Sequence, residues 1–98
     1  MLKHVLMFSL KEANKAANLQ AMKEKLLSLK DKIPEIQAYE VGINSAPSPA
    51  AADLFLYSEF ADEAALERYR VHPDHQAVVK FIQEICMERR VVDYFVSD

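Results

Sequence analysis

The sequence predicts an α+β fold: one antiparallel sheet of four strands with two helical regions packed on one of its faces. Three observations predict it. The apolar residues change period along the chain in the order strand, helix, strand, strand, helix, strand. The strands carry apolar side chains on both faces, so the face without helices needs a cover as well. The 98 residues make one domain, 1–98, that buries a core with little margin, so a partner chain would add what one copy lacks.

The first strand covers residues 2–10. His4, Leu6 and Phe8 share one face, and Val5 and Met7 share the other. A helix over roughly residues 14–32 follows, because Leu19, Met22, Leu26, Leu29 and Ile33 recur at helical spacing. Asn14 and Asn18 are its candidate caps and Pro34 its stop. The second strand runs from Ile36 to Asn44 with Tyr39, Val41 and Ile43 on one face. Gly42, the only glycine, suggests a bulge or a close backbone approach there. A loop of small residues and prolines, Ser45 to Ala52, leads to a third strand, Asp53 to Phe60. The run Leu54-Phe55-Leu56-Tyr57 predicts burial of that strand on both faces.

Asp62 caps a short helix through Leu66 to Arg70. Pro73 interrupts it near His72. Asp74 is positioned to cap a further helix reaching about Met87, with Val78, Val79, Ile82 and Ile85 as its apolar side. The last strand is Arg90 to Val96. This order is the split βαβ, or ferredoxin-like, arrangement, and the right-handed crossover rule puts both helical regions on the same side. The bare sheet face would exceed the apolar patch a monomer normally exposes. A second copy packed face to face through a two-fold axis covers it, so a homodimer through the sheet face is expected.

Composition excludes several classes. Net charge is −3, which argues against a nucleic-acid or phosphate surface. Phe55 and Tyr57 on one strand face resemble an RNA-recognition sheet in topology, but the flanking lysines, arginines and glycines are missing. No apolar run approaches a membrane span, and the apolar start at Leu2 is too short for a signal peptide. A single cysteine, Cys86, excludes an internal disulfide, and the chain reads as cytoplasmic. One glycine rules out a glycine-rich phosphate cradle. No cofactor motif is visible, and the chain has no tryptophan.

The chemistry-bearing residues cluster in Tyr69-Arg70-Val71-His72-Pro73-Asp74-His75. His75 is the candidate general base. Histidine both takes and returns protons near neutral pH, and a helix N-terminus favours its neutral form. Its plain structural alternative is packing at the helix junction. Tyr69 is placed to donate a hydrogen bond to a ligand oxygen, or else to satisfy its hydroxyl on a neighbour. His4 points towards Tyr69 and His75 if its strand face meets the helices; otherwise it is a satisfied core histidine. No metal site is expected at His72 and His75, because Pro73 breaks the helix between them and no third ligand lies near in sequence.

The chain resembles the stress-responsive A/B-barrel (Dabb) proteins, a family of dimeric α+β barrels. The resemblance rests on Lys3-His4-Val5-Leu6-Met7-Phe8, Ile33-Pro34-Glu35-Ile36, Val41-Gly42 and Tyr57-Ser58-Glu59-Phe60, together with the segment Tyr69–His75 and Arg90-Val91-Val92-Asp93-Tyr94. It implies the dimeric barrel. Some plant members similar in sequence are polyketide cyclases that perform a cofactor-free aldol condensation with a histidine–tyrosine pair. Their motif falls on His4, Tyr69 and His75. They also place a tyrosine on the inner side of the first helix, where this chain has Leu26.

Two functions follow as expectations. The first is a protein for a small apolar or aromatic carbonyl compound, either one that binds it or a cofactor-free, cyclase- or lyase-like acid/base enzyme. In it His75 is the acid/base, Tyr69 the donor to oxygen, and His4 the assistant. The second is a stress-associated structural or interaction dimer without turnover. A cofactor-free oxygenase is a third. An open apolar cavity between Tyr69, His75 and His4 favours the first; a filled one favours the second.

Overall fold

A computed structural model describes residues 1–97. The elements are β1 (Leu2–Leu10), α1 (Lys15–Ser28), β2 (Ala38–Ile43), β3 (Leu54–Phe60), α2 (Glu63–Val71), α3 (Pro73–Ile85) and β4 (Cys86–Phe95). The strands form one sheet in the order β2-β3-β1-β4, antiparallel throughout. This is the expected ferredoxin-like α+β fold.

Alternation sorts each central strand into two faces. Leu2, His4, Leu6, Phe8 and Leu10 of β1 and Leu54, Leu56, Ser58 and Phe60 of β3 are buried under the helices. They meet Met22 and Leu26 of α1, Leu66 and Tyr69 of α2, and Val78, Ile82 and Ile85 of α3. Removing a side chain such as Leu26 from a core like this costs about 2–5 kcal/mol. On the opposite face Val5 stands in register between Tyr57 and Val92, and Met7 between Phe55 and Arg90. Met7, Phe55, Val92 and Tyr94 of that face are exposed in the single chain.

Several local expectations are corrected. The first helix ends at Ser28, well before Pro34. From Leu29 the chain tightens into shorter turns, with Leu29 N bonded to Leu26 O and Lys30 N to Leu27 O. Leu29 and Ile33 still reach the core, so the apolar stripe outlasts the helix that it suggested. Asn14 takes the N-cap position in the left-handed region (φ 57°), but its side chain bonds no helix N–H. Gly42 pairs regularly with Phe55, and nothing lies within 4 Å of where its Cβ would be. The ladder irregularity lies instead at Ser9/Leu10, where β1 meets the start of β4. Phe55 is exposed, so β3 is buried on one face of the chain, not two. The outer face of β2 is Ala38, Glu40 and Gly42, with no large apolar side chain. α3 runs directly into β4 at Cys86, earlier than the Arg90 start expected from the sequence.

The break between α2 and α3 falls where Pro73 predicts it. Asp62 caps α2, its carboxylate accepting from Ala65 N at 2.9 Å. The cap of α3 is His72, not Asp74: His72 Nδ1 accepts from Asp74 N at 3.1 Å. Pro73 occupies the first helical position, where the lack of an N–H costs nothing.

Candidate active site

The helix-covered face opens between β1, β4, α2 and α3 into a cavity of about 380 Å³. Its walls are mostly apolar: Leu6, Phe8, Leu26, Leu56, Val79, Ile82 and Val91. His4, Tyr69 and His75 all line it, so the fold brings the three sequence candidates to one place. Leu26 lines it too, at the position where the resembling cyclases carry a tyrosine.

His4 reaches the cavity because it lies on the inward face of a central strand. The antiparallel register puts Asp93 of β4 directly opposite. His4 Nδ1 hydrogen-bonds the Asp93 carboxylate, and Asp93 is also reached by Arg70 Nη2 at 3.4 Å. On the other flank Ser58 donates to the backbone oxygen of His4 at 2.8 Å. A carboxylate on Nδ1 selects the tautomer protonated there and leaves Nε2 as the lone-pair nitrogen. Burial holds His4 below its ordinary pKa, while the Asp93 hydrogen bond works against that shift.

Tyr69 sits in the last turn of α2 and is almost fully buried. Its ring packs on His75 with centroids 4.2 Å apart, on Phe60 at 4.9 Å, and edge-on to His4 at 6.3 Å. Its hydroxyl lies 2.7 Å from that of Tyr39 on β2. Burial pushes Tyr69 up to about 12, with the hydrogen bond from Tyr39 working the other way. Burial raises Tyr39 well above the ordinary phenol range. Both phenols are therefore neutral, and either hydroxyl can donate to the other.

His75 stands in the first turn of α3, and its Nδ1 donates to the backbone oxygen of Arg70 at 3.0 Å. A carbonyl only accepts, so this bond also selects the Nδ1-protonated tautomer when the ring is neutral. Burial lowers the His75 pKa, with the Arg70 carbonyl opposing. Both cavity histidines thus keep Nε2 free of any hydrogen bond among the described residues. His72 is different: its Nδ1 accepts the α3 cap bond, and it does not line the cavity.

Sequence reasoning missed Tyr39, Asp93 and Arg70 as parts of this site. Tyr39 and Asp93 fell in expected strands and Arg70 within the Tyr69–His75 segment, yet nothing short of the strand register sets Asp93 beside His4. A signal was present: a buried histidine needs a polar partner, and the last strand offers one carboxylate in its centre. Among the described residues no group of three or more histidine, cysteine, aspartate or glutamate side chains is arranged to hold a metal ion.

The comparisons with known proteins decide the family. The model of the stress responsive A/B barrel domain matches residues 2–96. The chain belongs to this family. Among solved structures similar to this chain is a dimeric protein of unknown function with a ferredoxin-like fold from Bacteroides fragilis. It is 33% identical over 95% of this chain and 93% of its own, with a TM-score of 0.87. A Dabb family protein from Mesorhizobium loti is 24% identical, covers 99% of this chain and 97% of its own, and has a TM-score of 0.83. A hydroxynitrile lyase from Passiflora edulis is 16% identical, covers 99% and 94%, and has a TM-score of 0.87. The last two likenesses are of fold alone. No curated protein matches this A/B-barrel chain. No described helix is long and apolar enough to cross a membrane.

Proposed function

We propose that this A/B-barrel chain is a cytoplasmic homodimeric enzyme, one domain per copy, that performs cofactor-free acid/base chemistry on a small apolar or aromatic carbonyl compound. One observation carries the reading: an open, apolar-walled cavity holds Tyr69, His75 and His4 together, with both imidazoles presenting an unengaged Nε2.

His75 is the acid/base. Its Nε2 takes a proton from the carbon beside the carbonyl, and the negative charge moves onto the carbonyl oxygen. Tyr69 donates to that oxygen. With Tyr39 donating to Tyr69, one of the two arrangements open to this hydroxyl pair, the Tyr69 proton is free for the ligand. His4, oriented by Asp93, assists as a second proton acceptor. The proton returns from His75 to carbon, or, as in a cyclase, the carbanion attacks a second carbonyl within the same molecule, whose π bond opens to an alkoxide that takes the proton back from His75. The loss of a carbonyl fragment from carbon, as in a lyase, runs the same steps backwards.

The homodimer rests on the uncovered sheet face, where Met7, Phe55, Val92 and Tyr94 form one apolar surface. It is consistent with the relative from Bacteroides fragilis being described as dimeric.

The test is deuterium exchange at the carbon beside a ketone, followed by NMR in D2O. The wild-type dimer accelerates exchange, and His75→Ala abolishes it while the dimer persists. Unchanged exchange in the variant overturns the role given to His75. A second reading, a structural dimer without turnover, is favoured by one observation: the Tyr69 hydroxyl and the His75 Nδ1 already have internal partners. Absence of exchange in the wild type across aryl and alkyl ketones supports that reading.

A further inference from the structure

The chain has 15 acidic residues against 12 basic ones, yet no aspartate or glutamate lines the cavity. Its charged and polar lining is instead two arginines, two histidines, two glutamines and one tyrosine. Asp93 behind His4 offsets Arg70, so the charge left uncompensated at this cavity is that of Arg89, a single positive group against apolar walls, which favours an anion.

The two arginines differ. Arg70 is committed to Asp93 and Glu67, at 3.4 and 3.6 Å. Arg89 makes no ion pair or side-chain hydrogen bond among the described residues. It is exposed and borders the cavity from the inward side of β4, opposite Phe8 in register, while His4 stands opposite Asp93. Four strand positions separate the two, about 13 Å along the sheet. The backbone of Arg89 therefore lies towards one end of the cavity and that of His4 towards the other, with the Arg89 charge still felt at His4.

Resting on the function proposed above, we infer that the ligand is an elongated apolar or aromatic carbonyl compound bearing a carboxylate, which Arg89 receives while the carbonyl faces Tyr69 and His75. A single planar guanidinium matches a carboxylate fork. Neither a lysine nor a glycine-rich turn lines the cavity to hold a phosphate. Arg89 also sets polarity. A keto acid enters with its carboxylate at the Arg89 end, so the carbon exposed to His75 is the one beside the distal carbonyl.

The probes are β-benzoylpropionate and its methyl ester, titrated calorimetrically into the wild-type protein, Arg89→Gln and Arg89→Glu. Arg89 is exposed on an edge strand, so neither variant threatens folding. The expected result is that the acid binds at least about tenfold tighter than the ester. The preference shrinks with added salt, vanishes in Arg89→Gln and reverses in Arg89→Glu. Equal binding of acid and ester, a preference that survives Arg89→Gln, or binding of neither at millimolar concentration overturns the inference. Deuterium exchange on the same two compounds separates this from failure of the catalytic reading. Binding preference without exchange leaves the anion site standing and removes the base chemistry. Exchange of acid and ester at equal rates does the opposite.

Discussion

The hydroxyls of Tyr39 and Tyr69 lie 2.7 Å apart inside the protein, and each is the other's only hydrogen-bond partner among the described residues. Tyr39 comes from the far edge of the sheet and Tyr69 from the end of α2. The bond therefore ties the sheet edge to the helix that carries the candidate donor. Removing one hydroxyl strands the other in a buried place, at about 1–3 kcal/mol. Tyr39→Phe and Tyr69→Phe should each lose that much in denaturant unfolding. The double variant should lose less than their sum, since no orphaned hydroxyl remains. Strict additivity would show that the two hydroxyls do not depend on each other.

His75→Gln retains volume and polarity but no base. Removing a general base typically costs about 10²–10⁴ in rate. The variant should show a loss in that range for ketone deuterium exchange. Its sedimentation and its unfolding midpoint should stay close to wild type, because the glutamine amide can still donate to the Arg70 carbonyl. A large loss of stability with intact exchange would identify His75 as a strut of the junction.

The pH dependence follows from burial. Both His4 and His75 titrate below the ordinary value of 6.5 in the folded chain. The rate should be flat above 6.5 and fall only at lower pH, as the imidazoles take up protons. Stability should follow the same sign. Below 6.5 the unfolded chain binds protons before the folded one does. The contribution of the two neutral rings is thus complete above 6.5 and is lost as pH falls towards their folded values. Tyr69, at about 12, keeps its proton throughout this range and adds no alkaline limb near neutrality. Histidine NMR titration combined with thermal unfolding checks both statements.

Asp93→Asn removes the carboxylate that opposes the downward shift of His4. His4 should then titrate lower still, and its ring signals should broaden as the tautomer preference weakens. His75 contacts Arg70 through a backbone carbonyl, not through Asp93, so its titration should move little. Equal shifts in both rings would show that Asp93 acts on the whole cavity.

Met7→Glu sets a charge in the middle of the uncovered sheet face, beside Phe55 and Arg90. Two such charges meet near a two-fold axis in the proposed dimer and would have to be desolvated. Sedimentation should show a shift to monomer. An unchanged assembly would move the interface elsewhere.

The fold was largely legible because the side-chain period was clear at Tyr39–Ile43 and Val78–Ile85, while the short apolar runs of residues 2–10 and 54–57 read as strands covered on both faces. What misled was local chemistry that several residues satisfy equally well. Asp74 and His72 both suit a helix cap, and the geometry before proline chose His72. Leu29 and Ile33 keep helical spacing in a chain that has already tightened into turns. Gly42 suggested a bulge or a close backbone approach, but it pairs regularly and leaves space on an outer face. For the site, the one-dimensional record brought out Tyr69 and His75 because they are six residues apart. Asp93 is 89 residues from His4, and only the pairing of β1 with β4 makes them neighbours.

One residue, His72, ends α2 and begins α3. The two helices therefore share a joint with no slack. An α-helix turns about 100° per residue, so inserting or deleting a single residue at this joint would rotate His75 out of the cavity while leaving both helices intact. The Ser45–Ala52 loop, by contrast, can change length without re-aiming any cavity side chain. The joint acts as the indexing notch of the candidate site, and its length matters to the cavity as much as the imidazole it aims.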